Sequence, residues 1–169
     1  DLYAVFHQLT KQFAAAFSSR VYSLSVAQDV LTDNDWKGAE LGDLVRWQLA
    51  PYMSRIHSRI DIQGPKVQLP ADYAVPFSLI FNELASNALK HGALSNGSGN
   101  VSLSWTLAIV HGGPPRLFVR WEEHVIGASL QPGPDAFGAK LIDKSLAEAN
   151  VTRVYRREGL LCSIDVILT

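Results

Sequence analysis

A single cysteine, Cys162, stands in 169 residues, so neither a disulfide framework nor a cysteine-rich metal site can be built. Its place in the apolar run Leu160 to Leu168 predicts a buried core thiol. No apolar run approaches the length that spans a bilayer, and the first residues carry no signal-peptide pattern. A cytoplasmic protein without membrane contact is the expectation. Charge of either sign is also scarce: 18% of residues are charged and the net value is -1. With no clustered basic stripe, nucleic acid is disfavoured as the main partner. What is abundant is apolar side chain, 47% of the residues, enough for one globular domain with a core and a small appendage.

From Leu2 to Leu31 the apolar residues recur at three- and four-residue steps (Leu2, Val5, Phe6, Leu9, Phe13, Phe17, Val21, Leu24, Leu31). This predicts one extended helix, or two with a break near Thr10 or Ser18-Ser19. The seam is either a hairpin or dimer face or the face that packs on the chain's own domain. Thr32-Asp33-Asn34-Asp35 reads as a turn, and a second helix is predicted over Leu41 to Tyr52, closed near Pro51. Arg59–Ile62 and Lys66–Leu69 read as short strands around Gly64-Pro65. Val101–Val110 and Arg116–Glu122 read as strands joined by a hairpin connection, with Glu123 to Ala136 loop-like. Phe137–Ala149 is predicted helical, and Val151–Tyr155 with Leu160–Leu168 as a closing hairpin. The order suggests an α+β, two-layer sandwich: a mixed sheet with helices on one face.

Most informative is the helix predicted from about Asp72 to His91. Glu83, Asn87 and Lys90 recur at i, i+4 and i+7 and project from one side. Phe77, Leu79, Ile80, Leu84 and Ala88 make the rest of the helix apolar. A carboxylate, an amide and an ammonium on a nearly buried helix need partners, because unpaired polar groups there are costly. A charged ligand such as a metal-bound nucleotide is one solution. A solvated face, with Asn87 bonded to a neighbouring loop, is the other. Gly92 then releases the chain into the loop Ser95-Asn96-Gly97-Ser98-Gly99-Asn100.

Several segments, in order, resemble the catalytic region of HWE-type sensor histidine kinases. They are Arg20-Val21-Tyr22-Ser23-Leu24 with Ala27-Gln28-Asp29-Val30-Leu31, Trp36-Lys37-Gly38-Ala39-Glu40-Leu41, Asn82 to Ser95, Trp121-Glu122-Glu123, and Phe137-Gly138-Ala139-Lys140-Leu141-Ile142. The resemblance implies the ATPase fold shared by histidine kinases, gyrase and Hsp90. It implies ATP and Mg²⁺ as cofactors, a response-regulator receiver domain as partner, and a homodimer formed through the N-terminal helices. Residues 1–34 would be part of a helical dimerisation and phosphotransfer segment, and 35–169 the ATP-binding domain.

On that resemblance Asn87 would hold Mg²⁺ as a hard oxygen ligand. Glu83 would act as a base or orient water near the phosphates, and Lys90 and His91 would face phosphate charge, Lys90 counting with Glu83 as catalytic. Glu123 would meet the adenine amino group. Asn82, Ala93, Leu94 and Leu141 would line the nucleotide, with Phe137-Gly138 presenting backbone N–H groups at a helix start. Phosphoryl transfer then needs mostly positioning and charge neutralisation.

The chain also departs from the family pattern. Leu2-Tyr3-Ala4-Val5 resembles a part that follows the phosphoacceptor histidine, which would therefore lie upstream of Asp1; His7 is the alternative acceptor within the chain. Asn82 replaces a histidine that helps to name the group. His124-Val125-Ile126-Gly127 stands where glycines normally follow Trp-x-Glu, and Ala136 where the second glycine motif begins with Gly. β-Branched residues there restrict the close backbone approach that glycine permits. A scaffold or phosphotransfer protein that binds a receiver domain without useful ATP binding is the alternative function. Trp121 reads as a core residue, Trp36 and Trp47 as packing between helices and sheet, and His57, His111 and His124 as surface or loop residues.

Overall fold

The structure, a computed structural model, describes residues 2–56, 59–95, 97–109, 111–125, 146 and 149–169. The chain begins with one uninterrupted helix, α1 (Leu2–Asp33). A two-residue strand β1 (Ala39–Glu40) follows, then α2 (Leu41–Ile56), β2 (Ile60–Gln63), β3 (Gln68–Leu69) and α3 (Ala71–Lys90). The long strands β4 (Asn100–Ala108), β5 (Arg116–His124), β6 (Asn150–Arg156) and β7 (Gly159–Ile167) complete the described elements. The helix predicted over Phe137–Ala149 falls almost wholly outside the described residues, as do Phe137, Gly138, Leu141 and His57.

The main sheet has five strands in the order β2-β4-β5-β7-β6. It is mixed: β2 runs parallel to β4 and the other pairs are antiparallel. Its inner face follows from strand alternation. Val101, Leu103 and Trp105 of β4, Leu117, Val119 and Trp121 of β5, and Cys162, Ile164 and Val166 of β7 are all buried. They share one core with Phe77, Ile80, Phe81, Leu84 and Ala88 of α3 and with Leu41, Leu44, Val45 and Leu49 of α2. Each large apolar side chain so buried contributes about 1.5–3 kcal/mol. The α+β class and the sheet with helices on one face are as the sequence suggests, and Trp121 and Cys162 lie in the core.

The two short strands expected around Gly64-Pro65 are present, β2 in the main sheet and β3 paired with β1 in a separate two-stranded ribbon. Two expectations are corrected. Pro51 does not close α2; it lies inside the helix, which tolerates one missing N–H donor because packing of Leu44, Val45 and Leu49 holds the remaining turns. Trp36 and Trp47 are not packing residues, being 56% and 59% exposed. Trp36 sits in a left-handed turn, φ 59°, and Trp47 lies on the solvent side of α2, opposite Leu44, Val45, Gln48 and Leu49.

Of the two placements left open for the apolar seam of α1, packing on the domain is not the one observed: Val5, Phe6, Leu9, Phe13, Phe17, Val21 and Leu24 are exposed, and only Leu31 among those described is buried. The docking face is a different one, Ser23, Val26, Ala27, Val30 and Leu31, spaced at three and four residues as one helical side requires. Gln48 of α2, fully buried, donates from Nε2 to the Ser23 carbonyl at 2.9 Å. Residues 3–15 are all exposed. Among the described residues no helix is long and apolar enough to cross a membrane.

Candidate functional site

α3 carries the candidate residues, and its two ends are set by local chemistry. Asp72 stands in the first turn and Lys90 in the last, each favourable to the helix dipole. Pro76 lies in the second turn, where one donor is lost and the buried Phe77, Ile80 and Phe81 keep the helix seated. At the other end the N–H groups of His91 and Gly92 both donate to the Asn87 carbonyl, and Leu94 N–H donates to Ala88. The chain thus curls back on the last turn before entering the loop.

The polar residues of α3 divide into two groups by their partners. Asn82, 1% exposed, accepts from Ser19 of α1 at 2.7 Å and donates to the Tyr52 hydroxyl of α2 at 3.2 Å. Ser19 and Tyr52 lie 3.3 Å apart, so three helices meet in one hydrogen-bonded triangle. Beside it Glu83, 6% exposed, forms an ion pair with Arg20 of α1, Oε1 to Nε at 2.8 Å. The buried carboxylate therefore has an internal partner that the sequence pattern did not reveal. Asn87, one turn on, is half-buried and has no side-chain partner among the described residues. Lys90 and His91 are exposed at the helix end.

Glu123 joins the second group from the sheet. Because β5 runs through to His124, alternation turns Glu123 inward, and it is 3% exposed rather than a solvated strand end. Oε2 accepts the Ala93 N–H at 2.8 Å, and Oε1 accepts the Trp121 indole N–H at 3.1 Å. Burial pushes the Glu123 carboxyl above its ordinary value, against the opposing pull of these two donors. Ala93 and Leu94 are buried. Arg59 steadies the same loop, its guanidinium donating to the carbonyls of Leu94 at 3.1 Å and Gly99 at 3.3 Å.

Asn87, Lys90, His91, Ala93, Leu94 and Glu123 are thus gathered around the C-terminal end of α3. Asn82 and Glu83 face the other helices. His7 stands apart, exposed and stacked on Tyr3 at a ring separation of 6.1 Å. It is about 20 Å along the helix axis from Arg20 at the usual helical rise. Ser19, Arg20, Tyr52 and Arg59 were not singled out from the sequence as site residues. The signal for the first two was polar side chains continuing the helical side of Ser23, Val26 and Ala27.

Comparison with known proteins bears on these residues directly. Residues 4–66, from α1 through β2, match the family model for the HWE histidine kinase. Over 154 residues the chain is 36% identical to a blue-light-activated histidine kinase of Brucella ovis, a match covering 89% of this chain and 31% of the relative. The chain is thus similar to HWE-type histidine kinases over most of its length. A blue-light-activated histidine kinase of Rhizobium johnstonii is 32% identical over 161 residues, covering 91% of the chain and 44% of the relative. The HWE-type chain spans under half the length of these relatives, so it corresponds to one portion of such proteins. The histidine kinase domain of the Erythrobacter litoralis EL346 blue-light activated histidine kinase superposes with a TM-score of 0.66 at 22% identity, covering 90% of this chain and 75% of that one. The Acinetobacter baumannii histidine kinase AdeS gives 0.56 at 14% identity, over 98% of this chain and 85% of that one. Both share the fold.

Proposed function

We propose that this chain is the catalytic portion of a two-component protein-histidine kinase. It binds ATP with Mg²⁺ at the C-terminal half of α3, supports phosphorylation of a histidine, and passes the phosphoryl group to a receiver-domain aspartate. The observation that carries the reading is Asn87. Its neighbours Asn82 and Glu83 are satisfied inside the protein, whereas Asn87 has no side-chain partner among the described residues and lies beside the exposed Lys90 and His91.

The donor set suits the phosphate end of a nucleotide. The amide oxygen of Asn87 is a hard ligand of the kind Mg²⁺ takes. Mg²⁺, when bound, supplies positive charge that neutralises the phosphates. Lys90 and His91 add donors and positive charge at the same helix end, while Glu83 orients the attacking group. Glu123 keeps Gly92 and Ala93 in place and offers remaining lone pairs to an adenine amino group. Phe137, Gly138 and Leu141 complete the proposed set from the sequence resemblance.

Residues 1–34 form the helical segment and 35–169 the ATP-binding domain. Exposed Phe6, Leu9, Phe13 and Phe17 make α1 the homodimer contact, because one seam at heptad-like spacing suits a second helix. The phosphoacceptor lies upstream of Asp1, with His7 as the candidate inside the chain. The protein works in the cytoplasm.

Titrating the chain with a non-hydrolysable ATP analogue, with and without Mg²⁺, tests the reading. Magnesium-dependent binding near micromolar, about -8 kcal/mol, is expected, and Asn87→Ala is expected to remove the magnesium dependence while the fold persists. Unchanged affinity in that variant would refute the role of Asn87.

One observation favours a second reading, a receiver-binding scaffold without useful ATP binding. Two residues after Glu123 stands the β-branched Val125, packed against the core, where glycines would let the backbone approach a ligand closely. Absence of nucleotide binding by a folded sample that still captures a receiver domain would select it.

A further inference from the structure

The ion pair between Arg20 and Glu83 joins the long helix to α3 one turn before Asn87, the residue of the proposed phosphate site. Glu83 is almost fully buried and its Oε1 lies 2.8 Å from Arg20 Nε, so solvent and salt screen the interaction weakly. Glu83 also precedes Asn87 by four residues on α3, which places their β-carbons about 6 Å apart on one helical side.

We propose that Arg20 sets the charge that the nucleotide site shows to a terminal phosphate, and that the seating of α1 thereby governs affinity for a nucleoside triphosphate over a diphosphate. This rests on the ATP-site reading above. With Arg20 in place, the Glu83 carboxylate is compensated and tolerates a polyanion one turn away. With Arg20 withdrawn, a buried negative charge is left unpaired, which is costly in itself and repels the added phosphate charge of the triphosphate most.

The placement of the pair makes it responsive to α1. Residues 3–15 are exposed on every side, and Ala16, Ser19 and Arg20 are the first partly buried positions. Arg20 therefore sits where the projecting part of the helix first meets α3. Its neighbour contacts there are the polar ones, Ser19 to Asn82 and Tyr52, while the apolar docking side lies further along, at Val26, Ala27, Val30 and Leu31. A displacement of the projecting turns acts first on the polar contacts, which water can replace, and only later on the apolar ones.

Calorimetric affinities of the 169-residue chain for Mg-bound AMP-PNP and Mg-bound ADP test this, each variant first verified as folded by circular dichroism. Arg20→Ala is expected to weaken AMP-PNP on the order of tenfold and ADP several-fold less. Arg20→Lys retains most of the affinity because the charge remains. Adding Glu83→Gln to Arg20→Ala restores it by removing the unpaired charge. Ser19→Ala removes the neighbouring hydrogen bond to Asn82 while keeping the Arg20–Glu83 pair, and is expected to leave the triphosphate preference unchanged. Equal weakening of both nucleotides by Arg20→Ala, no restoration in the double variant, or the same selective loss in Ser19→Ala would each overturn the proposal. If the unmodified chain binds neither nucleotide, the ATP-site reading falls and this proposal falls with it.

Discussion

Gly92 and Glu123 fit together only because residue 92 has no side chain. A β-carbon added there would fall inside contact distance of Glu123 Oε2 and 2.7 Å from the Ala88 α-carbon. The carboxylate occupies that space to reach the Ala93 N–H at 2.8 Å. The glycine that follows α3 is thus required by the close approach of a partner from the sheet and not by a left-handed backbone.

Gly92→Ala is expected to destabilise the fold by about 2 kcal/mol or more, the usual cost of overpacking where backbone and a buried side chain both resist. Chemical denaturation checks this. Gly97→Ala, whose β-carbon meets nothing within 4 Å, is the matched control and is expected to cost much less.

Glu123 is expected to make stability depend on pH in a defined direction. Burial raises its carboxyl above the ordinary value, so the folded state holds the proton more tightly than the unfolded chain. The resulting stability is fully present below the unfolded carboxyl's titration and is lost as pH rises through the folded one. Glu123→Gln removes that titration, so the stability of wild type relative to the variant is expected to fall as pH rises through this range. Melting temperatures of the two proteins across mildly acidic to neutral pH measure it. A constant difference would contradict the assignment.

The triangle of Ser19, Tyr52 and Asn82 is expected to hold α1 against the domain. Tyr52→Phe removes the hydroxyl that accepts from Asn82 and should cost about 0.5–1.5 kcal/mol. Hydrogen exchange is expected to rise in α1 before it rises in the strands. Equal changes throughout the chain would show that the contact is not local.

The exposed seam of α1 is expected to matter for assembly and not for folding. Phe13 is 72% exposed, so Phe13→Glu should change domain stability by no more than about 0.5 kcal/mol. If α1 forms the homodimer contact, sedimentation velocity is expected to show the variant as monomer at concentrations where the unmodified chain is dimeric. Identical sedimentation of the two would remove α1 from the interface.

Much of this protein was legible in its residues, for reasons that can be named. Alternation over Val101, Leu103 and Trp105, and over Leu117, Val119 and Trp121, marks half-buried strands because each pleat sends neighbours to opposite faces. The helical spacing of Phe77, Ile80, Phe81, Leu84 and Ala88 marks α3 equally well. The two-residue strand β1 escaped notice, since two residues carry no period. The last two residues of β5 were also missed, and with them the inward turn of Glu123.

Helical period alone determined that Leu2 to Leu31 is helical and that one side of it is apolar. Only the tertiary structure decided that the apolar side faces away from the domain and that Ser23, Val26, Ala27 and Val30 face inward. The physical reason is that Val26 and Val30 join the domain's core while Ser19 and Arg20 find polar partners in Asn82 and Glu83. In the same way the sequence by itself put Glu83, Asn87 and Lys90 on one stripe. Packing then divided them, giving the buried carboxylate a guanidinium from a residue 63 positions away and leaving the amide and the ammonium at the open end of the helix. Hydrophobic periodicity is a local property of the chain, whereas the partner of a buried charge is set by which elements the fold brings together.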